Sequence, residues 1–231
     1  MNTIKKIPAL IQARMTSKRL PGKSLMTVNS KPLLMWVIDA VRSLEFVSEP
    51  IVLTSTDFAD NEIQDFCEHN SIKVFRGDRD NVLLRYQKAV EYFKFKKFVR
   101  ITADNPFYLN DVSVKAFNTF NSTSADYLHI EGLSHIVPEF LTSKAIDYAV
   151  GKASTRSHLE HVTPILRESE AQDKITVIQV LNHEIGLQSK LDRYLTVDTK
   201  SDFERFSCVV EKGVPKTKKE LYQMIEKINM R

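Results

Sequence analysis

The chain has 231 residues, of which 42% are apolar and 27% charged, with a net charge of +4 at pH 7. These proportions suit a globular protein with a full core, and no apolar run approaches the ~20 residues that cross a bilayer. So small a positive excess, with acidic residues throughout, sets aside nucleic acid as a partner, which needs a denser basic face. Cys67 and Cys208 lie far apart inside expected helices. Free thiols in a cytoplasmic protein, with neither leader peptide nor membrane insertion, are therefore expected.

The first expected strand, residues 7–11, runs into a loop carrying Arg14, Lys18, Arg19 and Lys23 among Thr16, Ser17 and a Pro21-Gly22 turn. Next come a helix at 33–44 opened by Pro32, a strand at 51–55 and a helix at 61–69 with Asp60 as its N-cap. A strand at 72–75 and a helix at 82–93 capped by Asp80 follow. Then come a strand at 98–102, a helix at 112–120, a strand at 126–130, and helices at 144–150 and 157–167. Strands at 175–180 and 194–197 precede helices at 202–211 and 218–229, the last amphipathic through Leu221, Met224 and Ile225. Strand–helix alternation of this kind predicts an α/β fold, a mostly parallel mixed sheet flanked by helices, with ligands at the C-terminal strand ends. Between 132 and 154 the pattern is interrupted by His135, Pro138 and Gly151. A substrate-binding or dimerisation excursion near 132–165, within a single domain spanning 1–231, or a plain irregular connection would each account for this.

Four cations on one loop repel each other unless a polyanion lies between them. The loop is neither G-x-x-x-x-G-K-[ST] nor G-x-G-x-x-G, so phosphates would be held by side chains and turn N–H groups. Arg14 and Arg19 suit bidentate grips and Lys23 a point contact. Asp104 and Asp198 each end an apolar strand. Singly, each reads equally as a turn or capping residue; together, facing a phosphate loop, they suit Mg2+ on a triphosphate. The run Ser157-His158-Leu159-Glu160-His161 has no zinc spacing. Its histidines read as lining for an anionic substrate or as a polar helix start. Asp78, Asp80, Asn81 and Arg85 form a cluster suited to a base or ribose.

Several segments resemble one known family. Ile11-Gln12-Ala13-Arg14-Met15-Thr16-Ser17-Lys18-Arg19-Leu20-Pro21-Gly22-Lys23 is similar to the signature loop of cytidylyltransferases that activate acidic sugars, including the CMP-Kdo and CMP-sialate synthetases. Lys31-Pro32-Leu33-Leu34, Val74-Phe75-Arg76-Gly77-Asp78, Asn81-Val82-Leu83-Leu84-Arg85-Tyr86, Arg100-Ile101-Thr102-Ala103-Asp104-Asn105-Pro106, Glu160-His161-Val162-Thr163-Pro164 and Leu195-Thr196-Val197-Asp198-Thr199 follow in the family's order. The branch resembled most is the one named after spore-coat polysaccharide biosynthesis protein F. Ala103 stands where a glycine is usual, and Lys18 replaces a common threonine.

This resemblance implies a nucleotide-diphosphosugar transferase fold, Rossmann-like. The implied reaction is attack by an acidic-sugar hydroxyl on the α-phosphorus of CTP, giving CMP-sugar and pyrophosphate. Arg14, Ser17, Arg19 and Lys23 would hold the triphosphate, and Asp104 and Asp198 would bind Mg2+. Gln12, Ala13, Met15, Asp80, Arg85 and Thr102 complete the expected nucleotide contacts. Glu139, His158 and His161, with His135, are the expected acceptor contacts, and a homodimer is expected. The rival readings are a phosphorylated sugar or small phosphorylated acid as acceptor, a glycosyltransferase using a nucleotide sugar, and a non-catalytic CTP binder. Asp104-Asn105-Pro106 lacks the Asp-x-Asp motif that usually marks the glycosyltransferase.

Overall fold

Ile7–Gln12 forms the strand β1 in the interior of the sheet, with Ala9, Leu10 and Ile11 wholly buried. A strand with helices over both faces must be apolar on both, which is why its sequence is a continuous apolar run rather than an alternating one. The computed structural model describes residues 5–187 and 195–229. After β1 come the short β2 (Thr27–Val28) and β3 (Lys31–Pro32), α1 (Leu33–Arg42), β4 (Val47–Ser55), α2 (Asn61–His69), β5 (Lys73–Gly77) and α3 (Val82–Phe93). Next are β6 (Lys97–Thr102), α4 (Asn110–Ser122), β7 (Tyr127–Ile130), β8 (Glu139–Thr142), α5 (Ser143–Lys152) and α6 (Arg156–His161). The described elements end with α7 (Ser169–Gln172), β9 (Val177–Val180), α8 (Lys200–Lys212) and α9 (Lys218–Asn229).

Seven strands form the main sheet in the order β5-β4-β1-β6-β8-β7-β9. The pairs β1–β4, β1–β6, β4–β5 and β7–β9 are parallel, and β8 runs antiparallel to both β6 and β7. One face packs α1, α4, α8 and α9 through residues such as Leu34, Ile38, Phe117, Phe206 and Leu221. The other packs α3, α5 and the segment after α6 through Leu83, Tyr86, Ile146 and Leu166. The expected mostly parallel sheet with helices on both sides is thus present. Among the described residues no helix is long and apolar enough to cross a membrane.

The structure fills in one stretch and corrects three expectations. The interrupted stretch near 132–165 holds β8, which inserts between β6 and β7, and α5, which packs on α3. A four-residue strand beginning with a glutamate gives no periodicity to detect. Of the strand expected at 194–197, Tyr194 lies outside the described residues and residues 195–197 form no strand. There the Val197 N–H donates instead to the Asp104 carbonyl at 2.8 Å. The helix expected at 157–167 breaks at Val162, whose φ of 70° is strained for a β-branched residue and turns the chain. Lastly, α3 is capped by Asn81, which accepts from the Leu84 N–H at 2.9 Å, and not by Asp80. Asp80 stands out in solvent, 88% exposed.

Candidate active site

The loop after β1 holds its shape through buried contacts. Gly22, at φ 73°, lets the chain fold back so that its N–H reaches the Met15 carbonyl at 2.9 Å, and the Ser17 N–H donates to the same oxygen. Asp60 was expected to cap α2, but its side chain makes no cap hydrogen bond. Instead it is wholly buried, accepting from the Met15 N–H at 2.7 Å and from both the N–H and the hydroxyl of Ser55. The Ser24 hydroxyl ties the Arg14 carbonyl from the other side at 3.1 Å. The cation-bearing loop is therefore ordered before any ligand arrives.

That order aims three cations at three carboxylates. Lys23 opens a short 3-10 turn, and its ammonium donates to Asp104 Oδ2, Asp198 Oδ1 and the Val197 carbonyl, each at 2.9 Å. Arg19 pairs with the other oxygen of Asp198 at 2.8 Å, and Arg14 with Glu160 at 3.0 Å. The hydrogen bond from Arg14 holds the Glu160 carboxyl below the usual carboxylate range. Asp198 is free for this role because α8 is capped by Thr199 in a reciprocal box with Asp202. These groups surround a cleft of about 630 Å³ at the C-terminal ends of β1 and β6, also lined by Gln12, Ala13, Ser17, Arg85, Thr102 and His161. A cleft of this size suits a nucleotide-sized ligand.

Arg85 is held rigidly, its guanidinium donating to the carbonyls of Asp78 and Arg79 at 2.7–3.0 Å. Gly77 permits this, since a Cβ there would lie 2.8 Å from Arg85 Cγ. Asp78 in turn accepts from the N–H groups of Asp80 and Asn81, so most of that cluster is occupied with its own turn.

Four expected residues are not among those lining the cleft. The Met15 side chain packs against the core, and only its backbone serves the loop. Asp80 points to solvent. The His158 ring turns away, with Nδ1 accepting from the Ser154 N–H at 3.4 Å and Nε2 lying 2.9 Å from Glu168. Glu139 is buried beneath the cleft, its side chain 2% exposed and enclosed by Arg100, Arg167, Tyr127 and Thr163. Burial alone would raise its carboxyl, but the two guanidiniums and the Tyr127 hydroxyl overturn that and hold it down at about 2. The sequence reading missed Arg100, Thr163 and Arg167, all of which line the cleft. Arg100 has a visible signal, as a cation set between the apolar Val99 and Ile101 inside a strand.

The carboxylate pair Asp104–Asp198 is suited to a metal ion. Its two oxygens already converge on one positive charge, the Lys23 ammonium, and hard oxygen donors match Mg2+. Among the described residues no cluster of three or more His, Cys, Asp or Glu converges, so phosphate oxygens and water would complete such a site.

Comparison with known proteins accords with this geometry. A family model described as cytidylyltransferase matches residues 8–228. The spore coat polysaccharide biosynthesis protein SpsF of Bacillus subtilis is 32% identical over 213 residues, covering 88% of this chain and 86% of that one. The 3-deoxy-manno-octulosonate cytidylyltransferase of Cytophaga hutchinsonii is 32% identical over 103 residues, 44% of this chain and 40% of its own. A cytidylyltransferase structure from Leptospira borgpetersenii superposes with a TM-score of 0.81 at 23% identity, covering 97% of this chain and 94% of the other, which establishes the shared fold. The match along nearly the whole chain, joined to a strand-end cleft ringed by loop cations, means that this protein belongs to the cytidylyltransferase family, the CTP-dependent nucleotidyltransferases.

Proposed function

We propose that the protein transfers CMP from CTP to the hydroxyl of an acidic sugar, releasing pyrophosphate, for surface-polysaccharide synthesis. The observation that carries this reading is the convergence of Arg14, Arg19 and Lys23 with Asp104 and Asp198 on one cleft. The acidic acceptor is supported by the names of two relatives, one a polysaccharide-synthesis protein and one acting on 3-deoxy-manno-octulosonate. In the reaction a sugar oxygen bonds to the α-phosphorus, the bond to the bridging α–β oxygen breaks so that this oxygen leaves with pyrophosphate, and the hydroxyl proton passes to solvent.

The chain does little covalent work in such a step. Arg14, Arg19 and Lys23 grip the triphosphate and offset charge gathering on the leaving pyrophosphate, preorganised by the buried Asp60 anchor. Gln12, Thr102 and Arg85 line the cleft beside the loop and would position the rest of the nucleotide. Asp104 and Asp198 would hold Mg2+, which supplies further neutralisation of triphosphate charge when bound. Lys23 would then exchange its carboxylate partners for phosphate oxygens.

The test is a pyrophosphate-release screen crossing four nucleoside triphosphates with sugar acids and phosphorylated sugars, with and without Mg2+. Release only with CTP, a sugar acid and Mg2+ is expected. Release with phosphorylated sugars alone, or CTP binding without release across the panel, would overturn the acidic-sugar assignment.

A further inference from the structure

Beneath the cleft lies a charge cluster that the nucleotide does not require. Glu139, first residue of β8, pairs directly across from Arg100 of β6. Its Oε2 accepts from Arg100 Nη1 at 2.5 Å, and its Oε1 accepts from Arg167 Nη2 at 2.6 Å. The Tyr127 hydroxyl, 2.5 Å from Oε1, and the Thr163 hydroxyl, 3.0 Å from Oε1 and 3.4 Å from Oε2, also donate to it. Arg167 Nε also donates to the Tyr127 oxygen at 3.0 Å. The carboxylate is thus held by four side chains, two of them guanidiniums.

One negative charge against two leaves a net positive charge in the floor of the cleft. Three loop cations differ in this respect, since Lys23, Arg19 and Arg14 each meet a carboxylate of their own or share two, while Arg85 is held by backbone carbonyls. Arg100 is 11% exposed and Arg167 41%, yet both line the cleft. Arg100 Nε is buried and has no hydrogen-bond partner among the described residues. Burying an unbalanced guanidinium is costly unless an anion completes it. Its donors are also fixed in direction by the carboxylate behind them, which favours a planar or tetrahedral oxyanion.

We propose that Arg100 and Arg167, held in place by Glu139, form the subsite for the anionic group of the acceptor, a carboxylate or phosphate. This rests on the reading of the protein as a CMP transferase with a charged acceptor. Register supports a site next to the nucleotide, because Arg100 lies opposite Leu10 and Thr102 lies opposite Gln12 at the β1 strand end. Glu139 is a positioning residue here, touching the acceptor only through the two arginines.

The test separates this subsite from the nucleotide reading. In nucleotide-free protein, the Arg167 Nε–H resonance, assigned through its loss in Arg167→Lys, is followed while 3-deoxy-manno-octulosonate, N-acetylneuraminate, glucose 1-phosphate or neutral glucose is added. At least one anionic probe should shift it and glucose should not; the carboxylate and phosphate arms tell a sugar acid from a phosphate ester. Arg167→Gln should weaken that probe by about 10–100-fold, the loss of one charge-assisted contact, with CTP affinity by calorimetry unmoved. Glu139→Gln, where it folds, should raise the acceptor KM in the same direction and leave kcat nearly unchanged. No shift with any anion while CTP still binds overturns the subsite. Loss of CTP binding in the wild-type protein overturns the nucleotide reading instead.

Discussion

Two charge centres share the cleft, and they are built as opposites. At the loop, one cation, Lys23, sits between two carboxylates, Asp104 and Asp198. In the floor, one carboxylate, Glu139, sits between two guanidiniums, Arg100 and Arg167. Both have short contacts, but the loop carboxylates are 26% exposed whereas Glu139 is 2% exposed. Water can stabilise Asp104 and Asp198 when Lys23 leaves, so the loop centre is built to change partners. No water replaces the arginines at Glu139, so the floor centre is built to stay. Burial, more than charge count, separates a pair that exchanges ligands from a pair that supports structure.

The comparison breaks most visibly at the buried centre. Glu139→Ala leaves two guanidiniums side by side without a counter-charge, and a loss of about 3–5 kcal/mol is expected. Urea denaturation measures it, and a loss as small as that of a surface pair would contradict the assigned rigidity. At the loop the effect falls on turnover instead. Lys23→Ala should lower kcat about 10²–10³-fold, with folding stability little changed. Wild-type turnover at saturating CTP would remove Lys23 from the reaction.

Asp60→Ala tests the anchor beneath the loop. It orphans the buried N–H groups of Met15 and Ser55, costing about 1–3 kcal/mol, and it should raise the KM for CTP by loosening the cations. An unchanged KM would mean that the loop holds its shape without it.

The mildest prediction concerns His129, stacked on Tyr127 at 5.0 Å. Burial, aided by Arg167, pushes its pKa down from 6.5 to about 4. The unfolded chain therefore binds this proton first as pH falls, and stability declines between about pH 6.5 and 4, by roughly 1–2 kcal/mol from pH 7 to 5. His129→Phe keeps the ring stack and should flatten that slope in denaturation midpoints measured at the two pH values. Glu139 adds a second decline at lower pH, as its depressed carboxyl is protonated below the ordinary carboxylate range. An identical slope in the variant would place the titration elsewhere.

What could be read from sequence follows from how local each feature is. The loop cations, Asp104, and the spans of α2 and α3 stand out because their signals are contiguous: a cation cluster at a strand end, and helical periodicity between clear stops. Asp60 was misread because a residue before a helix looks like a cap, while its real partner, Met15, is 45 positions away. Asp80 lost the cap to its neighbour Asn81. His158 and Glu139 were placed in the cleft as polar residues of the irregular stretch near 132–165. One turned towards Glu168, and the other sank into the sheet because β8 runs antiparallel and brings its first residue level with Arg100. Pairings across strands leave no periodicity along the chain.

The same separations set an order of assembly. Glu139 and its arginines lie 39 and 28 positions apart, so the floor centre is complete once residue 167 has been made. Lys23 meets Asp104 across 81 positions but Asp198 across 175, spanning most of the chain. Closing so long a loop is the slower and entropically dearer step. The floor's pairings therefore close over much shorter stretches of chain than the pairing of Lys23 with Asp198.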